Sequence, residues 1–514
     1  MRISNDELQL ASIRRFVFGE GENIELDPSL LERVADSRSR FNALMEEEVA
    51  IYGVTTGFGA SVTKKIPRHQ SEKLQSNLIS YLTCGTGPKL PRDSVRATML
   101  FRLNSLTRGY SGVSVELVER LRVFLERHWI PVVPREGSLG ASGDLIPLAY
   151  IAQALQGHGE VETSNGLEKV STLLEKHKEA PYHLKAKEGL ALVNGTSSMC
   201  GLAFVNYQHC EFLLSLATIA TAWTCLALRG RVEAFGTLVN SEAKKFTGQA
   251  AVAEQVRNIL AGEKYAPALG TNPIQDKYSL RCAPQVLGPV LESLELAQSW
   301  LQTEINGVSD NPLIGNEGEL AMGGNFYGGY LAHGMDYMKL CLAHVADLAD
   351  RQLITLMDEH TNRGLPANLA NWHDGNRDEH FLHHGLKGLH QSVSAITSEI
   401  MAKSIPNSIF SRSSESHNQD KVSLGMSAGV QLSEMIPQLY NVLTMHLACL
   451  AQALDLREIS LAGEKSAALY SLIRTHMPFV EYDQALDRPI ASLSNALQSQ
   501  ALLQKGLFAY EFRA

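Results

Sequence analysis

The stretch "GSLGASGDLIPLAYIAQALQGHG", residues 137–159, sets small residues around one hydroxyl and then runs into an apolar segment. Leu145, Leu148, Ile151, Ala152 and Leu155 recur at steps of three and four, which predicts a helix opening near Leu145. Asp144 stands at the helix start, an ordinary capping placement, and Pro147 falls in the first turn, where proline is tolerated. Ala141-Ser142-Gly143 alone says little. At ~7% usage for each residue, such a tripeptide occurs by chance in roughly one chain in five of this length. The setting says more: Gly137 and Gly140 precede it, and Asp144 and the helix follow.

The same helical period dominates elsewhere, over 92–128, 145–156, 198–229, 284–306, 330–358, 387–403 and 422–453. "WIPVVP" (129–134) is the clearest extended piece. The fold class is therefore mainly α, and several helices exceed the usual globular length, which implies a bundle. A polar break at 157–189 predicts a surface hairpin or short helix, and 361–386, rich in Asn, His and Gly, predicts a loop.

Length and composition limit the function. At 514 residues the chain exceeds what one core usually holds, so two or more domains or an elongated bundle are expected. With 44% hydrophobic and 20% charged residues it can bury a large core and is not disordered. A net charge of −9 without a basic block argues against a nucleic-acid surface. "MRISNDELQLASIRRF" lacks an apolar signal core. "LLSLATIATAWTCLALRG" (213–230) approaches the ~18 apolar residues of a membrane span. Its Thr218, Thr221 and Thr224, with Arg229 and Arg231 at its end, read better as a helix buried on all sides of a bundle. Seven scattered cysteines without a C-x-x-C pair predict reduced thiols in a cytoplasmic protein.

With these motifs in view, 137–159 resembles the signature of the aromatic amino acid ammonia-lyases and aminomutases, the histidine, phenylalanine and tyrosine enzymes. The resemblance runs through nearly the whole chain in the family's order: "IYGVTTGFGASV" (51–62), "EGLALVNGTSSM" (188–199), "QDKYSLRCAPQVLG" (275–288), "SDNPLI" (309–314), "GGNFYGG" (323–329) and "SESHNQDKVSLG" (414–425). It implies that Ala141, Ser142 and Gly143 cyclise and lose water to form a methylidene-imidazolone electrophile, with no external cofactor. The residues suit this. Gly143 has no side chain to keep its nitrogen from the Ala141 carbonyl, Ala141 adds little bulk, and Ser142 supplies the hydroxyl to be lost. A helix starting behind the ring aims its positive end at the site.

By the same resemblance Tyr52 is the base for the β-proton, on a loop that acts as a lid, and Asn194 contacts the prosthetic group. Tyr278 and Arg281 lie on the substrate side, Tyr278 as a catalytic residue that hydrogen-bonds the carboxylate or relays a proton and Arg281 gripping the carboxylate with its planar fork. Gly59, Tyr81, Leu82, Phe326 and Gln419 complete the substrate-binding set. A phenol that works as a base near neutral pH needs its pKa lowered from about 10, by positive charge or hydrogen-bond donors. The resemblance further implies an L-aspartase-like fold of the fumarase/aspartase superfamily. It places an active-site domain at 1–200, a central bundle and C-terminal helices at 201–514, and a homotetramer whose sites draw on several subunits.

Substrate choice turns on "LQSNLISYLTCGTG" (74–87). Histidine enzymes typically carry Ser-His where this chain has Tyr81-Leu82, tyrosine-selective ones His-Leu and phenylalanine ones Phe-Leu. Leu82 offers no partner to an imidazole, and an unpaired buried polar group costs ~1–3 kcal/mol. Gln419 stands where histidine enzymes typically have a glutamate. The expected substrate is a benzenoid amino acid, tyrosine ahead of phenylalanine, because Tyr81 can reach a para-hydroxyl. The products are coumarate or cinnamate for a lyase. A 2,3-aminomutase, a histidine ammonia-lyase giving urocanate and a non-enzymatic homologue are the alternatives. The histidines of "HDGNRDEHFLHHGLKGLH" (373–390) match no standard zinc spacing, so no metal is expected.

Overall fold

The structure is a computed structural model, and it describes residues 1–19, 23–47, 49–265, 274–370 and 382–499. Helices dominate. The four longest are Ser197–Ala227, Ala283–Ile305, Gly329–Met357 and Gly425–Leu456, of 31, 23, 29 and 32 residues. Each matches a segment of sustained apolar period, and Leu145–Leu155 and Lys387–Ala402 fall where the spacing predicts them.

The segment 92–128 is not one helix. It divides into Arg92–Thr107 and Val115–Glu126. Between them Gly109 and Gly112 adopt φ of +78° and +65°, and a Cβ on Gly109 would sit 2.5 Å from the Arg33 side chain. The second helix restarts at Ser114, whose hydroxyl accepts from the Leu117 N–H. Strands are short. Glu160–Thr163 and Gly166–Lys169 form the hairpin expected in the polar break, with Ile130–Pro131 on its open edge, and helix Val170–His177 follows. Pro134–Glu136 pairs instead with Thr86–Lys89.

The chain divides into two compact units. The first comprises residues 1–206, 297–336 and 406–431; the second comprises 207–296, 337–405 and 432–514. The expected division at residue 200 is continuous along the chain, whereas these units are not, because the first gathers in two later segments. The first unit is cored by Phe16, Phe41, Phe101 and Phe204, and the second by Trp223, Phe235 and Tyr440.

Among the described residues one helix, Ser197–Ala227, is long and apolar enough to cross a membrane, and 94% of its apolar window is buried inside the protein. The buried hydroxyls of Thr218, Thr221 and Thr224 donate to carbonyls one turn back, on Leu214, Ala217 and Ala220, at 2.9, 2.9 and 2.7 Å. A threonine satisfied in this way sits in an apolar core without an unmet donor. All seven cysteines are free, and Cys84 is exposed.

Candidate active site

Residues 141–144 run alongside 194–195. Gly143 and Gly195 form a parallel bridge, the Gly195 N–H donates to the Ser142 carbonyl at 3.2 Å, and the Asp144 N–H donates to the Gly195 carbonyl at 2.8 Å. Both glycines are required by this approach. A Cβ on Gly143, at φ +74°, would lie 2.1 Å from the Gly195 oxygen, and one on Gly195, at φ +141°, would lie 2.4 Å from Arg102 Nη2.

Two side chains hold the tripeptide, and a third braces the backbone beside it. Asn194, the residue that ends helix Glu188–Val193, donates from Nδ2 to the Ser142 carbonyl at 2.8 Å. Its Oδ1 is buried and has no hydrogen-bond partner among the described residues. Gln419 Nε2 donates to the Ser142 hydroxyl at 3.1 Å, held by an antiparallel bridge between Gln419 and Ser414. Asp144 behaves differently from its sequence position. It precedes helix Leu145–Leu155 but makes no side-chain cap there. Its Oδ2 accepts instead from the Met199 N–H at 2.6 Å, so it caps Ser197–Ala227. Burial pushes this carboxyl up to about 7, against the Met199 and Ser138 hydrogen bonds that favour its charged form.

Above the tripeptide lies a cavity of about 640 Å³ built wholly from the first unit. Ala141, Ser142 and Asn194 form part of its wall, Tyr52 and Gly59 another, and Tyr81, Leu82, Phe326 and Gln419 the remainder. Gly143 is behind the wall, occupied with Gly195. The Tyr52 hydroxyl accepts from the Gly59 N–H at 2.9 Å, and its ring meets Phe58 edge-on. Contrary to the expectation of a lowered phenol, burial raises the Tyr52 pKa; the Gly59 N–H opposes this and the negative Glu415 adds to it. Tyr81 is 58% exposed as a residue, yet lost solvation of its hydroxyl, then Tyr52 and Glu415, push it up to about 12.

Tyr278 and Arg281 belong to the second unit and do not line this cavity. Tyr278 is 70% exposed with the Arg281 guanidinium 4.4 Å over its ring, and Arg281 borders a separate cavity of about 310 Å³ with Asp276 and Arg231.

Glu415 was not singled out from the sequence. It lines the cavity and accepts from the Ala60 N–H at 2.9 Å, tying 414–425 to the loop that carries Tyr52. A Cβ on Gly59 would fall 2.0 Å from its carboxylate. Its signal was its place four residues before Gln419, inside a motif already recognised. Lys421 and Asn311 line the cavity from the same recognised motifs. Of the histidines in 373–390, His373 and His380 lie outside the described residues. His383 packs on Tyr482, His384 is 3.9 Å from Asp483 and His390 is 3.7 Å from Asp350. Among the described residues no group of three or more His, Cys, Asp or Glu could hold a metal ion.

A mainly helical chain with a cavity of this size can take a small molecule, and comparison with known proteins places it. The family profile described as aromatic amino acid lyase matches residues 8–475. A histidine ammonia-lyase of Geobacillus thermodenitrificans is 34% identical over 500 residues, covering 97% of each chain. A tyrosine 2,3-aminomutase of Chondromyces crocatus is 37% identical over 473 residues, 88% of each chain. The solved phenylalanine aminomutase of Pantoea agglomerans superposes with a TM-score of 0.91 at 31% identity, over 98% of this chain and 99% of that one. The chain belongs to the aromatic amino acid lyase family. It is an enzyme of that family with the family's fumarase/aspartase-like helical fold.

Proposed function

We propose that the protein is an aromatic amino acid ammonia-lyase that eliminates ammonia from L-tyrosine, and from L-phenylalanine second, using an electrophile formed from Ala141-Ser142-Gly143. The convergence of Asn194 Nδ2 and the Gly195 N–H on the Ser142 carbonyl carries this reading. The residues fit a methylidene-imidazolone ring. Neither Gly143 nor Gly195 has room for a Cβ, the hydroxyl to be lost is held by Gln419, and Asn194 Oδ1 is buried without a partner. The chemistry such a ring would supply is electrophilic, making the substrate's amino nitrogen a better leaving group.

The remaining work falls to the chain's own side chains. Tyr52 faces the cavity with its hydroxyl oriented by Gly59, which suits it to take the β-proton. Its raised pKa calls for a nearby cation before it ionises near neutral pH. Arg281 is that cation in our reading, brought with Tyr278 by another copy of the chain. Tyr278, 70% exposed, is open to such a contact, and the assembly in this reading is a homotetramer with shared sites. The monomer is then inactive. A cytoplasmic location agrees with seven free cysteines.

For the substrate, apolar Leu82 and Phe326 on the cavity wall suit a benzenoid ring, and Tyr81, its hydroxyl kept protonated, can donate to a para-hydroxyl. The cavity also holds the carboxylate of Glu415, but one of its oxygens is engaged by Ala60. Likeness to two aminomutases favours a second reading, in which the ammonia returns to the β-carbon. Incubation with L-tyrosine, L-phenylalanine and L-histidine, followed in the near-UV and by product analysis, decides. Coumarate formed fastest is the expected result. Urocanate as the sole product rejects the substrate assignment, a β-amino acid as main product rejects the lyase outcome, and no product from any substrate rejects both.

A further inference from the structure

Arg102 sits mid-way along helix Arg92–Thr107 with no solvent exposure. Only one of its guanidinium nitrogens is engaged: Nη1 donates to the carbonyls of Ala191 at 3.3 Å and Asn194 at 3.2 Å. Nε and Nη2 have no hydrogen-bond partner among the described residues. Asp310, Asp144 and Glu304 surround it with negative charge, which opposes the lowering of its pKa by burial. Burying a guanidinium with two of its nitrogens unpartnered costs desolvation energy that its two hydrogen bonds offset only in part. Packing therefore does not account for it.

One of its two hydrogen bonds goes to the peptide unit that serves the tripeptide. The Asn194 carbonyl accepts from Arg102, and the N–H of that same peptide, on Gly195, donates to the Ser142 carbonyl at 3.2 Å. A cation bonded to the oxygen of an amide polarises the group and strengthens the donor at its other end, most of all where water is excluded. The approach depends on the bare Cα of Gly195, because a Cβ there would lie 2.4 Å from Nη2.

Ring closure shows where that polarisation counts. The Gly143 nitrogen bonds to the Ala141 carbonyl carbon. The first water leaves with the Ala141 oxygen and the protons of the Gly143 and Ser142 nitrogens, forming a C=N bond between Ala141 and Ser142. The second leaves with the Ser142 hydroxyl and its Cα proton, forming the exocyclic C=C bond. No oxidant or reductant is needed. Loss of the Cα proton places negative charge on the Ser142 carbonyl oxygen, where Asn194 Nδ2 and the Gly195 N–H converge.

We propose that Arg102 is a positioning residue which, through the Asn194–Gly195 peptide, tightens the Gly195 N–H onto the Ser142 carbonyl and so promotes ring formation and the electron demand of the finished ring. It touches neither substrate nor tripeptide, and its role rests on the proposed cyclisation of residues 141–143. The test compares full-length wild type, Arg102→Gln and Arg102→Lys by intact mass of the denatured proteins, with circular dichroism and thermal midpoint confirming folding. The dehydrated fraction is then trapped with a small thiol, and the rate of adduct formation is read by mass.

Wild type lighter by two waters, a Lys variant close to it, and a Gln variant that is less than half dehydrated or trapped about 10-fold more slowly is the expected pattern. A Gln variant fully dehydrated and trapped at the wild-type rate overturns the proposal, and so does a folded Lys variant as impaired as Gln. If the Gln variant does not fold, Lys decides alone: dehydration supports the role of charge, and the full encoded mass rejects it. A wild type at full encoded mass is distinguishable from all of these, since it rejects the cyclisation itself.

Discussion

Gly195 shows how much of the site one hydrogen atom in place of a side chain decides. Its Cα is faced by Arg102 Nη2 and Ser309 Oγ, at 2.4 and 2.5 Å from where a Cβ would stand. Gly195→Ala should therefore displace the N–H that reaches Ser142, and the variant should carry the full encoded mass even where circular dichroism reports a folded chain. A dehydrated, fully active Gly195→Ala protein contradicts this. Tyr52→Phe removes the proposed base while leaving the tripeptide alone. It should keep the dehydrated mass and lose about 10²–10⁴-fold in kcat; activity near wild type excludes Tyr52 as base. Tyr81→Phe should slow turnover of tyrosine relative to phenylalanine, and an equal loss on both removes the para-hydroxyl argument. At this scale the sequence was informative wherever a residue sits inside a motif, as Asn194 and Gln419 do. Glu415 sits in the same motif as Gln419 and was still missed, because what gives it a role is a contact with Ala60 that spans 355 positions.

Helices were legible where apolar period was sustained, and their ends were not. The segment 92–128 keeps its period through Gly109 and Gly112, but close packing against Arg33 requires a turn there. Asp144 occupies a capping position by sequence and caps a different helix by geometry, since Met199 N–H is the donor it reaches. The same elements bury a titratable group with a consequence for stability. His446, on helix Gly425–Leu456, has no solvent exposure, and burial lowers its pKa from 6.5 to about 3. Between those values the unfolded chain binds a proton that the folded one does not, so stability is present above pH 6.5 and is lost as pH falls towards 3, by about 1.4 kcal/mol per pH unit at most. His446→Leu should flatten the urea midpoint against pH over that window. An unchanged slope contradicts the burial argument.

At the scale of the molecule, the order of motifs along the chain names candidate participants but not how they come together. The first unit brings 1–206 together with 297–336 and 406–431, and its cavity unites Tyr52, Ser142, Asn194, Phe326 and Gln419. Tyr278 and Arg281 belong to the second unit. If a second copy completes the site, co-expressed Tyr52→Phe and Arg281→Met chains should regain activity that neither variant has alone, because mixed oligomers contain some intact sites. Failure to regain any activity contradicts shared sites. Mass spectrometry of the denatured wild-type protein tests the central claim most directly. The expected mass is that of the encoded polypeptide less two water molecules; the full encoded mass in correctly folded protein contradicts the electrophile on which the proposed elimination depends.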